Sequence, residues 1–296
     1  MKIRVFVSFH ARRASYPRVR DVLGAIKCTD GLEGEESILC GYYSHTFDSE
    51  DTRLPKLRRI LESERISWSE REEHVYSDAE LRSFPLLQLT VDRKPLEAGG
   101  PQYGTTYDLS KACPRCGTGA IQTSPLILPL SGLPKKGLLC AAGDGEILVA
   151  EPLMAALEEA GVTGLELRQV RLHGNNEPLP WWQMISTYEM PKMGPKTRRI
   201  DRDSALKPCT QCRRDGHCYK GDEPWDIVYS SDDVSASSLP DVVHAWESFG
   251  KSGIDKEQPQ FSRYGDHLLF VKPKVFDIFR RLKVRHARFT PVRISD

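Results

Sequence analysis

The chain has 296 residues, 39% of them hydrophobic, and its 42 Lys+Arg against 41 Asp+Glu leave a formal charge of +1. That length accommodates one large domain or two to three smaller ones with apolar cores, and the balance excludes a chain-wide electrostatic attraction for nucleic acid or anionic lipid. No run approaches the roughly 18 apolar residues of a spanning helix, and the alternating start MKIRVFVSFHARR lacks the apolar core of an export signal, so a cytoplasmic protein without membrane contact is expected.

Ile3, Val5, Val7 and Phe9 alternate with polar residues, the two-residue period of a strand with one buried face. A helix is expected next, capped by Ser15, with Pro17 in its first turn and Val19, Val22, Leu23 and Ile26 on one face. ESILCGYYSHTF reads as a second strand, DSEDTRLPKLRRILESE as a helix with Leu54, Leu57 and Leu61 inward, and EEHVYSD as a third strand. Strands alternating with helices over about 80 residues imply crossover connections and a small α/β domain. SFPLLQLTV is a further strand, running into the Gly/Pro-rich EAGGPQYG, and AGDGE is a hairpin signal between GLLCA and ILVA.

The second half is self-similar. EILVAEPLMAALEEAGVTGLELRQVRL (146–172) and HLLFVKPKVFDIFRRLKVRHARFTPVRI (267–294) share one outline: an apolar run, a proline at a helix start (Pro152 or Pro273), an amphipathic helix, then an alternating strand. Aligning the two prolines needs one inserted residue. Each copy follows a Cys-x-x-Cys pair, which suggests duplication of one strand-helix-strand unit. The stretch between them, with turn residues and the Trp181-Trp182 pair, is expected to be an irregular connection lying against the second unit.

The eight cysteines, in a chain with no export signal, point to metal rather than disulfides. Cys113-Pro114-Arg115-Cys116 and Cys209-Thr210-Gln211-Cys212 are two metal knuckles, since a two-residue spacing aims both thiolates at one ion. Gly117 supplies the positive φ that the residue after such a knuckle needs. Between Cys116 and Cys209 lie 92 residues. Enlarging a closed loop from a compact ribbon's length to this one costs about 1.5 kcal/mol, far less than the roughly 10–16 kcal/mol of structural zinc. The expected cofactor is one structural zinc per chain held by Cys113, Cys116, Cys209 and Cys212, a closed shell without the open position that catalytic zinc keeps. A ligand set using Cys218 or His217 and a pair of redox-active CxxC motifs are the alternatives, while Lys111, Arg115, Arg213 and Arg214 are positioned to offset thiolate charge. Cys28, Cys40 and Cys140 fall in or near apolar runs and read as inert buried thiols.

No nucleophile elbow, zinc-protease helix, phosphate loop or dinucleotide fingerprint occurs, so no enzyme is expected. His10, His45 and His74 share the first domain and are read as structural, as is the acid-rich ESERISWSEREEH as solvated surface. Charge is regional: 1–30 holds seven basic and two acidic residues, 31–80 six and thirteen, 271–296 eight and two.

Two separated Cys-x-x-Cys motifs, the first as CPRCG, and the ending LLFVKPKVFDIFRRLKVRHARFTPVRI resemble the bacterial double-CxxCG motif proteins over roughly residues 85–296. Cys113, Cys116 and Gly117 match the first motif; Cys209 and Cys212 match the second, with Arg213 in place of its glycine. The resemblance implies a cytoplasmic immunity protein, with a cognate protein toxin as partner. The rival reading is a nucleic-acid-binding zinc protein using segments 1–30 and 271–296. The expected architecture is α/β (α+β): a small α/β domain (1–84), then two CxxC-containing units (85–175 and 176–296) joined by the four-cysteine zinc site.

Overall fold

A computed structural model describes residues 2–12, 24, 33–36, 40–91, 100–129, 133–134, 136–142, 145–197, 209–214, 226–248 and 267–295. The chain mixes strands and helices, as expected of an α/β protein, and divides into two compact units, Met1–Glu80 and Leu81–Asp296.

The first unit is a four-stranded sheet of β1 (Lys2–Arg12), β2 (Glu33–Glu36), β3 (Cys40–Asp48) and β4 (Trp68–Val75), in the order β2-β3-β1-β4 with every neighbour antiparallel. Strands β3 and β4 both oppose β1 and so run parallel to each other; α1 (Arg53–Ser63) carries the chain across β1 between them. This is the expected crossover, with a third strand running between. Between β1 and β3 the pairing is direct, and of the helix expected from Ser15 to Ile26 only Gly24, which is helical, is among the described residues. The alternation in β1 buries Val5, Val7 and Phe9, which meet Tyr43 and Phe47 of β3 beneath Leu54, Leu57 and Leu61 of α1. The acidic stretch is paired to the helix: Arg58 donates from both ends of its guanidinium to Glu70, at 2.8 and 2.7 Å.

The second unit begins within α2 (Asp78–Ser83) and holds two five-stranded sheets. Its elements are β5 (Leu86–Val91), β6 (Tyr107–Asp108), β7 (Ile121–Gln122), β8 (Ile127–Leu128), β9 (Leu139–Ala142), β10 (Glu146–Ala150), α3 (Glu151–Glu159), β11 (Leu165–Leu172) and β12 (Pro178–Ser186), followed by β13 (Ile227–Ser230), β14 (Val242–His244), β15 (Leu269–Val271), α4 (Pro273–Arg281) and β16 (Ala287–Ser295). One sheet runs β8-β11-β12-β10-β9 and the other β13-β16-β5-β15-β14; β6 and β7 form a separate ribbon. The hairpin expected at AGDGE is the antiparallel pair β9 and β10.

The two sheets correspond strand for strand. The outermost strand is parallel to its neighbour in both (β8 to β11, β13 to β16), and the remaining pairings are all antiparallel. In both, the helix joins two parallel strands over a central antiparallel one. Backbone detail repeats as well: the residues before the helices, Ala150 and Lys272, are extended at ψ 161° and 160°, and their N–H groups bond the carbonyls of Leu138 and Asp241. Past each helix, Gly161 and Lys283 have φ 58° and 53°, and Gly164 and His286 have 75° and 64°. The halves therefore align without the inserted residue expected from the prolines: Pro152 is second in α3 and Pro273 is first in α4. Leu153, Ala156 and Leu157 are buried where Val275, Ile278 and Phe279 are.

The central strands are exchanged. In the first sheet Leu167 faces Met184 and Val149 faces Trp182; in the second Phe289 faces Leu89 and Val271 faces Leu87. So β12 fills the place in the first sheet that β5 fills in the second. In chain order each half starts with a central strand and then its knuckle, outer strand, edge strand and strand-helix-strand, yet each central strand sits in the other half's sheet. The stretch 174–208, expected as an irregular connection against the second unit, thus contains a nine-residue strand at the centre of the first sheet, and Trp181 is buried in that core. Prolines 178 and 180 disguise it, but Leu179, Trp181 and Gln183 keep the two-residue period inward. The divisions expected near residues 85 and 175 accordingly separate β5 and β12 from the sheets they complete: β5 falls in 85–175 and its sheet partners in 176–296, and β12 the reverse.

The halves meet where the turn after α3 packs on the start of β14. Val242 N–H donates to Thr163 O at 3.0 Å, and the Asp241 carboxylate accepts from Thr163 N–H at 3.0 Å and from Lys274 Nζ at 3.0 Å. Gly164 is required there: a Cβ would lie 2.4 Å from Val242 O and 2.7 Å from the Pro240 ring. We expect Gly164→Ala to cost at least about 2 kcal/mol, read as a loss of roughly 5 °C in Tm. Burial works against the charged form of Asp241, but its bonds from Thr163 and Lys274 win and hold its pKa below the usual value. Its stabilising contribution is therefore complete above about pH 4 and is lost as pH falls through the lower folded-state value. Melting curves of wild type and Asp241→Asn should differ at neutral pH and converge in acid.

Candidate metal centre

The first knuckle grows from the β6–β7 ribbon. Asp108 of β6 accepts from Ser110 N–H at 2.8 Å, which turns the chain toward the cysteines. Cys113 N–H then donates to Thr118 O at 2.8 Å and Gly117 N–H to Cys113 O at 2.8 Å, a tight loop closed by Gly117 at φ 74°. The second knuckle repeats it: Cys209 N–H to Arg214 O at 3.0 Å, Arg213 N–H to Cys209 O at 2.9 Å, and Arg213 at φ 62°. The arginine in place of the motif glycine thus adopts the glycine's left-handed conformation, at a cost on the order of 1 kcal/mol. Each knuckle belongs to one half, at equivalent places.

The four sulfurs converge. Cys113, Cys116, Cys209 and Cys212 place their Sγ atoms within 4.8 Å of one another, with Cys113 Sγ 3.7 Å from Cys209 Sγ and Cys116 Sγ 3.6 Å from Cys212 Sγ. A tetrahedron of sulfurs about 2.3 Å from a central ion has edges of about 3.8 Å, so the set fits one four-coordinate ion. Three of the four are buried and Cys212 is partly so. The group can hold a metal ion, and the four residues singled out by spacing are the four that meet.

The thiols are electrostatically uneven. Burial pushes all of them up, yet at Cys209 the backbone N–H groups of Cys212 and Gln211 and the neighbouring thiols win and bring it down to about 6. Cys113 is lowered in the same way, by backbone N–H groups of Cys116 and Arg115 against burial. At Cys212 burial and the adjacent thiols together push it up to about 12, and burial also raises Cys116. Each knuckle thus pairs one thiol poised to ionise with one that resists. Only a cation among them favours four thiolates.

The surrounding cations are only partly free for that charge. Arg115 donates to Thr210 Oγ1 of the opposite knuckle, tying the two together. Arg214 is committed to Glu189, donates to Trp246 O at 2.9 Å and stacks 5.1 Å over the Trp246 ring. Lys111 and Arg213 are exposed.

Other sequence candidates scatter. Cys140 is buried in the core of the first sheet, Cys40 opens β3, and Cys28, His217 and Cys218 lie outside the described residues. His10 pairs across from Tyr42 and His74 across from Ile3, near opposite ends of β1, while His45 lies on the other face from His10 against Phe47. These three do not converge. The structure adds a cluster that no motif announced: His244 and His267, ring centroids 5.0 Å apart, beside Glu189 and Arg214. Burial, with the adjacent His267, pushes His244 down to about 4, and burial also lowers His267, whose Nδ1–H bridges the carbonyls of Ala245 and Glu247 at 2.8 Å. Both rings are neutral at pH 7. The link from the second knuckle to β14 runs from Arg214 to Glu189, whose backbone bridges to His244.

Fold and site together define a duplicated α/β protein whose halves share a four-cysteine cluster able to bind a metal ion. No family model matches the chain, and no curated protein matches it.

The expected metal content is one ion per chain by elemental analysis, lost in Cys209→Ala and Cys113→Ala together with about 4 kcal/mol or more of stability. Full metal retention by Cys209→Ala would break the assignment. Acidification should release the ion, because protonating the thiolates competes with binding.

Proposed function

We propose that the chain is a zinc-stabilised, non-enzymatic protein-binding protein of the cytoplasm that neutralises a cognate bacterial toxin. The observation that carries the metal part is the donor set: four thiols, three of them buried and Cys212 partly so, at tetrahedral separations, two from each half. Thiolates in that geometry select zinc over harder ions, and a complete shell leaves no position for a reacting water. Zinc there clamps two halves. The toxin-neutralising part rests on the resemblance of CPRCG, the second Cys-x-x-Cys and the ending to the double-CxxCG immunity proteins, and the left-handed Arg213 removes the conformational objection to that match. For a basic toxin, the acidic stretch 31–80 is the natural docking face.

The test is the product of the adjacent gene. It should form a stable complex with the purified chain and lose its toxicity on co-expression, and the Cys209→Ala variant should protect less. A product that neither binds nor is blocked would sink the reading.

A further inference from the structure

The two halves share a backbone but not a surface. Leaving the helix, the first half carries Glu158, Glu159, Gly161, Thr163, Gly164 and Glu166, and the second half at the same places carries Arg280, Arg281, Lys283, Arg285, His286 and Arg288. Three carboxylates in one half stand against five formal cations and a histidine in the other. All six basic side chains are exposed. The fold does not demand them, because the first half closes the same turn without any: Gly161 N–H bonds Glu158 O and Val162 N–H bonds Leu157 O, as Lys283 N–H bonds Arg280 O and Val284 N–H bonds Phe279 O.

Four of these cations are set apart by having no carboxylate partner among the described residues, whereas Arg280 lies 4.9 Å over the Phe276 ring. Arg53, Arg58, Arg82, Arg168, Arg214 and Arg293 each hold a carboxylate. Among the described residues no carboxylate pairs with Arg281, Lys283, Arg285 or Arg288. Lys283 and His286 are moreover left-handed where the other half has glycine, a conformation that costs a residue with a side chain and not a glycine. Side chains kept at that cost, and in no contact that the fold needs, are available to something outside it.

We propose that the turn 280–288 is a docking surface for an acidic protein surface. The inference deepens the protein-binding reading and rests on it. Arginine forks bind carboxylates through paired hydrogen bonds, as Arg293 binds Asp226 and Arg58 binds Glu70 within this chain. The cluster of Arg281, Lys283, Arg285 and Arg288 also steers an acidic partner in from a distance. Single-stranded nucleic acid fits less well: the large exposed apolar side chains of the described residues are Tyr42, Ile121 and Tyr188, none of them in this turn, so bases would find the His286 imidazole but no Tyr, Trp or Phe to stack on.

The experiment measures binding of labelled polyglutamate to the full chain by fluorescence anisotropy, beside a DNA duplex and a single-stranded RNA. Polyglutamate should bind with an affinity that falls with salt, and the triple variant Arg281→Ala, Arg285→Ala, Arg288→Ala should lose roughly tenfold. Removing Glu158 and Glu159 should not weaken binding. Lys283→Gly with His286→Gly should leave Tm unchanged or raised while weakening binding, a split that a structural role would not produce. No polyglutamate binding, an unaffected triple variant, or tighter binding of DNA or RNA overturns the proposal. If the adjacent-gene toxin is bound equally by wild type and triple variant, the docking surface is wrong while the immunity reading stands.

Discussion

Each five-stranded sheet of the second unit is completed by a strand that chain order assigns to the other half, and the rest of that unit follows from this exchange. A sheet lacking its central strand would expose two rows of unpaired backbone groups and the apolar residues flanking them, so neither half is a finished structure alone. The exchange is mutual, and the contacts are mutual too: β5 touches β9 as β12 touches β14, and the two helices lie side by side. Equivalent points of the halves are therefore brought together, which is how Cys113 meets Cys209 and Cys116 meets Cys212.

This changes the energetic role of the metal. Considered as the sole link, an ion joining knuckles 92 residues apart must overcome the entropy of closing that loop. With β5 and β12 already seated in opposite sheets, much of that ordering is done by strand pairing, and more of the binding energy of the ion is left to stabilise the junction. The same junction carries Asp241 with Thr163 and Lys274, the close approach at Gly164, and Arg214 with Glu189. The four-cysteine cluster, the ion pairs and the exchanged strands all join the two halves.

Duplication also separates what a fold requires from what a surface offers. Leu153, Leu157 and Val170 and their counterparts Val275, Phe279 and Val292 stay apolar because they fill equivalent cores. Exposed positions are free to diverge, and they diverge in sign, from Glu158 and Glu159 to Arg280 and Arg281. Where the halves differ at a strained backbone position, as Gly164 and His286 do, one residue answers to packing: Gly164 faces Val242 O, whereas His286 is exposed.

Local pattern determined a good deal by itself. Two-residue alternation in β1 and β3, the Leu54, Leu57, Leu61 stripe of α1, the hairpin at AGDGE and the repeated strand-helix-strand units were legible because each depends on residues close in sequence. The four sulfur ligands were legible because a knuckle is a local device whose chemistry demands a second one. Tertiary structure alone decided which sheet each central strand joins, since β5 and β12 have the same outward period whichever partner they take. It also decided that Arg213 can stand in a glycine position, that His244 and His267 meet beside Arg214, and that the histidines of the first unit stay apart. Those outcomes depend on contacts between residues far apart in the chain, whose pairing energy no local pattern encodes.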